Sequence, residues 1–219
     1  MEQKSIIDLI YNHFKNEYSY SEPVLLKDIY TAFPNIKTGT IRESLRRLVV
    51  EEKLFKLQAG IFGLPDPQRI LPTPLINVDE AINKLYIQTQ QGEIIGYRSG
   101  FFFANALGLT TQVPSTITIF SNAVAPKKRT IKIKNVSITI NRSRTKVTAG
   151  NYKLLQILDL LSSFNIYSEY PLSIARDKLF TYLGNLSLPK TEIETIVALY
   201  PKDAQINFYK IGGVDALTH

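Results

Sequence analysis

The sequence predicts an α+β protein of two domains, and three observations in its 219 residues carry that expectation. Between Thr40 and Leu64 a helical pattern runs directly into a glycine-tipped hairpin pattern, TIRESLRRLVVEEKLFKLQAGIFGL. Pro65 to Pro74 then read PDPQRILPTP, a proline-dense stretch that favours an extended, stiff connection. Farther on, apolar and polar residues alternate from Thr130 to Ile140, and after Gly150 the apolar residues recur at helical spacing. The predicted organisation is an N-terminal domain over 1–66, a linker over 67–76 and a C-terminal α+β domain over 77–219, in which a small β-sheet precedes several α-helices. A hydrophobic content of 44% suffices for cores of that size.

The first domain begins with Ser5 and Asp8 at capping-box spacing around Ile6, Ile7, Leu9, Ile10 and Phe14, which predicts a helix ending near Asn16. Leu26, Ile29, Tyr30 and Phe33 predict a shorter helix, and Pro34 to Gly39 supply a turn after it. Thr40 and Glu43 repeat the capping-box spacing, so a third helix is expected to start at Thr40 and to bury Ile41, Leu45, Leu48 and Val49. Arg42, Arg46 and Arg47, with Ser44 among them, are expected on its remaining surface. Leu54, Phe55 and Leu57, then Ile61, Phe62 and Leu64, read as strands joined through Gln58, Ala59 and Gly60. Helix, helix, turn, helix, hairpin is the element order of a winged helix-turn-helix, whose recognition helix can lie in the DNA major groove. The residues predicted to meet DNA are Lys37, Thr38, Thr40, Arg42, Ser44, Arg46 and Arg47 at the helix, with Lys56 and Gln58 on the wing. The competing reading is that the arginines only solvate a helix in a protein-binding module, since fold alone does not fix function. Arg grouped with Ser and Thr near a helix start suits both base edges and phosphates, and this favours DNA.

Charge is unevenly spread along the chain. Residues 1–66 hold nine basic and nine acidic side chains, 67–150 hold eleven and three, and 151–219 hold six and seven. The first domain is therefore neutral, and its basic character must come from placement. In the middle, Lys127, Lys128, Arg129, Lys132, Lys134, Arg142, Arg144 and Lys146 occur with no acid between Pro126 and Lys146. Ile131, Ile133, Val136, Ile138 and Ile140 alternate there with Lys132, Lys134, Ser137 and Thr139, which predicts a hairpin turning near Asn135, one face core and the other basic. This basic hairpin, 126–146, reads as a patch for nucleic-acid phosphate or an acidic protein partner. Alternatively it is an edge hairpin whose lysines block sheet-to-sheet aggregation.

Asn77 to Gln88 predict a helix with Asp79 and Glu80 in its first turn. Gly96 to Pro114 read GYRSGFFFANALGLTTQVP and lead into the strand STITIFS. Ser99 is placed to cap a short helix through Leu107, Gly108 to end it in the left-handed conformation and Pro114 to set the entry to the strand. This helix, GLTTQVP and strand sequence resembles the AbiE-type antitoxin family and the related winged-helix transcriptional regulators. The resemblance spans the first 150 residues by motif and the rest by helical character. Gly60, Ile61 and Phe62 also fit the wing of that family, although its members more often carry a basic residue and Tyr where this chain has Ala59 and Phe62. The resemblance implies a repressor-antitoxin whose N-terminal domain binds inverted repeats in double-stranded DNA upstream of its own operon. It further implies a C-terminal part needed to neutralise an adjacently encoded nucleotidyltransferase-like toxin, without a stable complex. Two alternatives stand beside it: a stand-alone regulator without a toxin, and an enzyme that modifies the toxin.

After Gly150, Tyr152, Leu154, Leu155, Ile157, Leu158, Leu161 and Phe164 predict one strong helix. Leu172 to Leu183 predict a second, stopped by Gly184, and Ile193 to Tyr200 a third, ended by Pro201, beyond which the pattern weakens. No enzyme is expected. His13 and His219 are the only histidines, and neither glycine-rich phosphate cradle, GxGxxG or GxxxxGK[ST], is present. KTG at Lys37 to Gly39 precedes the SxxK of Ser143 to Lys146, the reverse of the order in penicillin-binding enzymes, which speaks for coincidence. No catalytic residue, cofactor or metal ligand is assigned, and the absence of cysteine removes disulfides and thiolate metal sites. Without an apolar run of about 18 residues or a signal peptide in MEQKSII, a cytoplasmic protein with no membrane partner is expected.

Overall fold

The computed structural model describes residues 5–68 and 77–218, which are α+β, with eleven helices and two small sheets among them. The chain forms two compact units that divide between Leu85 and Tyr86. Residues 69–76, most of the predicted linker, lie outside the described residues.

The first unit opens with α1 (Ile6–Glu17), where the Ser5 hydroxyl accepts from the Asp8 N–H at 3.2 Å and donates to the Asp8 carboxylate at 2.7 Å. A strand absent from the sequence reading, β1 (Val24–Leu25), precedes α2 (Leu26–Ala32). Two residues offer no alternation to detect. The third helix, α3 (Thr38–Val50), starts before the predicted Thr40 cap. Lys37 is the cap residue instead: its backbone, at ψ 134°, is not helical, and its carbonyl accepts from the Ile41 N–H at 3.1 Å, so Thr40 already lies inside the first turn. β2 (Phe55–Gln58) and β3 (Ile61–Gly63) form the predicted hairpin, and Gly60 at its tip takes φ 80°, a left-handed value that glycine adopts without a Cβ clash. β3 pairs antiparallel with both neighbours in the order β1-β3-β2. Ile10, Phe14, Ile29, Ile41, Leu45 and Leu48 are wholly buried in the core of this unit. α4 (Val78–Ile82) is capped by Asn77, whose side chain accepts from the Glu80 N–H at 3.2 Å, and a π-helical segment over Asn83–Ile87 continues it. Lys84 ties this stretch to the unit, with Nζ 2.6 Å from Glu22 and 3.1 Å from the Pro23 carbonyl.

The second unit is built on β4 (Gly96–Ser99), β5 (Thr116–Ser121), β6 (Arg129–Ile133) and β7 (Val136–Arg142), in the order β4-β5-β7-β6. β5 and β7 are parallel and the other neighbours antiparallel. The predicted hairpin is β6–β7, turning through Lys134 and Asn135 with Ile133 opposite Val136, and β6 is a sheet edge. β4 was not legible because GYRS buries its residues on both faces rather than alternating. Gly96 is required there: a Cβ would stand 2.1 Å from the Tyr86 carbonyl oxygen and 2.6 Å from that of Phe120. α5 (Gly100–Ala106) follows, but the Ser99 side chain makes no capping bond, contrary to expectation. Its turn into the helix is made by Gly100, at φ 66°.

α6 (Tyr152–Leu161), α7 (Phe164–Tyr167), α8 (Leu172–Leu183) and α9 (Lys190–Ala198) all contribute to one apolar core, and α8 stops at Gly184 as predicted. Helix does not fade after Pro201. Pro201 instead precedes α10 (Lys202–Lys210), since a proline at a helix start forfeits no needed N–H, and α11 (Gly213–Leu217) follows. Ala204, Phe208, Ile211 and Leu217 join the same core as α6. α6 is buried from Leu154 to Leu161, Gln156 and Asp159 included. Both polar side chains are held: Gln156 Nε2 donates to the Arg98 carbonyl at 2.6 Å, and Asp159 accepts from the Tyr97 hydroxyl at 2.5 Å. No helix among the described residues is long and apolar enough to cross a membrane.

Candidate nucleic-acid interface

α3 presents its arginines away from the core because Ile41, Leu45 and Leu48 recur at helical spacing on the buried side. Ser44 falls within that buried stripe and is 4% exposed, which removes it from the predicted contact set. Its position three residues after Ile41 and one before Leu45 dictates this. Lys37, Thr38, Thr40, Arg42, Arg46 and Arg47 are exposed, as is Lys56 on β2, while Gln58 is half-buried.

The arginines are not bare. Arg42 Nε donates to the Tyr30 hydroxyl at 2.6 Å. Arg46 grips Glu43 through Nε and Nη2, both at 2.8 Å, and Arg47 Nε donates to the same carboxylate at 2.9 Å. Those bonds, Arg46's first and then Arg47's, hold the Glu43 carboxyl down at about 2. Glu43, expected as a capping residue, is thus the counter-ion of the arginine face, a role that its spacing of three and four residues from Arg46 and Arg47 also permits. Exposed pairs of this kind are weak, so a phosphate can take the place of Glu43 at small cost.

Lys127, Lys128, Arg129, Lys132, Lys134, Arg142, Arg144 and Lys146 are all exposed. They do not form the single basic face that was predicted. Side chains alternate along β6, so Arg129 shares a face with Ile131 and Ile133, while Lys132 projects to the other side with Thr130. Arg144 lies over the Tyr200 ring, 5.1 Å from its centroid, and Nη1 reaches the Leu199 carbonyl at 3.4 Å. Its charge also acts on Asp159. Burial raises the Asp159 carboxyl to about 7, against the opposing pull of the Tyr97 hydrogen bond and of Arg144. Burial likewise pushes the Tyr97 and Tyr200 hydroxyls up. Asp159 was missed in the sequence, although an acid between Leu158 and Leu160 in an apolar helix is a readable signal.

The GLTTQVP stretch is fixed by Glu169, whose carboxylate accepts from Thr110 Oγ1 at 2.7 Å and from the Thr111 N–H at 2.9 Å, bonds that lower its pKa. This is a packing role. Among the described residues, no group of three or more His, Asp or Glu is placed to hold a metal ion. No curated protein matches the chain. A family model does match residues 15–162, from within α1 to the end of α6, taking in α3, both sheets and the whole basic segment. Since that match covers well over half of its length, the chain belongs to the family of unknown function DUF6088.

Proposed function

We propose that the protein is a DNA-binding transcriptional autorepressor that serves as the antitoxin of a toxin–antitoxin pair, with its first unit working as a winged helix-turn-helix. The observation that carries the DNA half is the succession of α2, a short turn, α3 and the β2–β3 hairpin, with Arg42, Arg46 and Arg47 exposed on α3. In this reading α3 enters the major groove of operator inverted repeats. Thr38 and Thr40 approach phosphates, the arginines meet phosphates or guanine edges, and Lys56 touches the flanking backbone. The antitoxin half rests on the resemblance of Gly96 to Pro114, and it pairs the protein with a nucleotidyltransferase-like toxin in the cytoplasm without a lasting complex. A stand-alone regulator is the second reading, because every residue assigned to DNA lies in the first unit and owes nothing to that stretch.

A gel shift on DNA upstream of the gene, run with the parent chain and an Arg42→Ala, Arg46→Ala, Arg47→Ala variant, tests the DNA half. The parent is expected to shift a discrete fragment and the variant to lose it. Growth rescue on co-expression with the adjacent gene tests the antitoxin half. DNA binding without rescue would leave the stand-alone regulator, and no shift on any upstream fragment would sink both readings.

A further inference from the structure

Beyond β7, a cleft of about 410 Å³ is lined by Asn122, Arg142, Ser143, Arg144, Thr145 and Lys146. Three of these are cations and none is an acid. Ser143 distinguishes it from the rest of the basic run. That residue is only 9% exposed, and its hydroxyl is buried with no hydrogen-bond partner. Buried hydroxyls are nearly always satisfied, because an unmade bond costs the desolvation of the group without return.

The frame around Ser143 is fixed. Asn122 accepts from the Val147 N–H at 2.9 Å and donates to the Val147 carbonyl at 2.8 Å, which pins the far wall. Arg144 is held over Tyr200, and Arg142 is set by the register of β7 against Ser121 on β5. Arg142 and Lys146, both exposed, are the side chains that must swing to admit a ligand. The ordering left to occur on binding is that of these two side chains.

We propose that this cleft binds a terminal phosphate, a phosphate monoester carried by a mononucleotide or by the 5′ end of a nucleic-acid strand. The Ser143 hydroxyl donates to one phosphate oxygen, and Arg142, Arg144 and Lys146 supply charge-assisted bonds to the others. A monoester fits better than the internal phosphates of a duplex. Those lie on a convex surface and reach exposed cations, whereas the Ser143 hydroxyl sits inside the fold, where only a protruding group with free oxygens can follow. A neighbouring cleft of about 240 Å³ shares Asn122 and Lys146 and holds Glu93, which offers space for a sugar and repels a second phosphate. The site thus selects one phosphate over a polyphosphate. It stands independently of the operator reading.

The test is thermal unfolding of the full chain at constant ionic strength, in chloride and then with inorganic phosphate, adenosine 5′-monophosphate or a 5′-phosphorylated single-stranded oligonucleotide, with the unphosphorylated oligonucleotide as control. A saturable rise in Tm with the phosphate-bearing ligands and none with the control is expected. A response confined to the nucleotide or to the strand end identifies the source. Ser143→Ala should melt no lower than the parent without ligand, since it removes an unsatisfied group, and should weaken phosphate binding about tenfold. Arg142→Gln should weaken it similarly. No saturable rise, undiminished binding by Ser143→Ala, a lower ligand-free Tm for that variant, or an equal response to the unphosphorylated strand would each overturn the proposal. The operator gel shift of Ser143→Ala should match the parent, so the two readings fail separately.

Discussion

The α3 surface and the 127–146 segment both display cations, yet they handle charge in opposite ways. On α3 each guanidinium is answered nearby, Arg42 by the Tyr30 hydroxyl and Arg46 and Arg47 by Glu43, within a domain of nine basic and nine acidic residues. The later segment has eight cations and no intervening acid. A carboxylate set among the cations orients them and suppresses the long-range field, whereas a run with no acid among its cations keeps that field. Geometry and attraction are therefore assigned to different parts of the chain.

The strongest way to break this comparison is the Arg42→Ala, Arg46→Ala, Arg47→Ala variant. If α3 supplies the fixed contacts, operator affinity at constant salt falls by about 100-fold or more, at roughly 1 kcal/mol or more per contact. Undiminished affinity would remove α3 from the interface. Reversing Lys127, Lys128, Arg129, Lys132 and Lys134 to Glu comes next. Affinity for unrelated DNA should drop about tenfold, and the plot of log affinity against log salt should flatten by up to ~0.9 per lost phosphate contact. If binding and salt slope are untouched, the segment is only an edge-protecting device. Glu43→Gln frees Arg46 and Arg47 and should tighten binding about threefold with a steeper salt slope. Weaker binding would mean that Glu43 aims the arginines rather than occupying them.

The last difference concerns pH. Asp159 is raised from 3.8 to about 7 by burial, against the charge of Arg144, so the folded chain keeps a proton that the unfolded chain releases between those values. Its stabilising contribution is complete below the unfolded value and is lost as pH rises through about 7. The Tm should therefore fall between about pH 4 and pH 7 and level off above that, and Asp159→Asn should flatten the slope and gain about 1–3 kcal/mol at the alkaline end. A parent curve without slope would contradict the assignment. Glu43 has the opposite sign, its contribution lasting until pH drops through about 2, so α3 is silent over the range in which the second unit titrates.

Much of the architecture was legible wherever one periodicity operated over many residues. α1, the β6–β7 hairpin and α8 follow their apolar repeats, and Gly60, Gly108 and Gly184 mark ends with positive φ. Short or doubly buried strands such as β1 and β4 gave no alternation, and α10 was hidden because Pro201 reads equally well as a stop or a start. The candidate interface was legible as a set of residue types but not as a network. Composition alone puts Ser44 among the contacts where helical phase buries it, and Thr40 and Glu43 spell a capping box that the Lys37 backbone makes unnecessary.

The close approach at Gly96 bears on inheritance. Together with Gly100 at φ 66° and Gly108 at φ 63°, it makes three positions of the Gly96 to Pro114 stretch intolerant of side chains for reasons of backbone geometry alone. Descendants of a common ancestor would retain these glycines whatever they came to bind. A saturation library selected only for folding should recover glycine at 96, 100 and 108, which ties these positions to the backbone and not to any ligand, while the exposed residues of α3 and of the 142–146 cleft remain free to diverge with each partner.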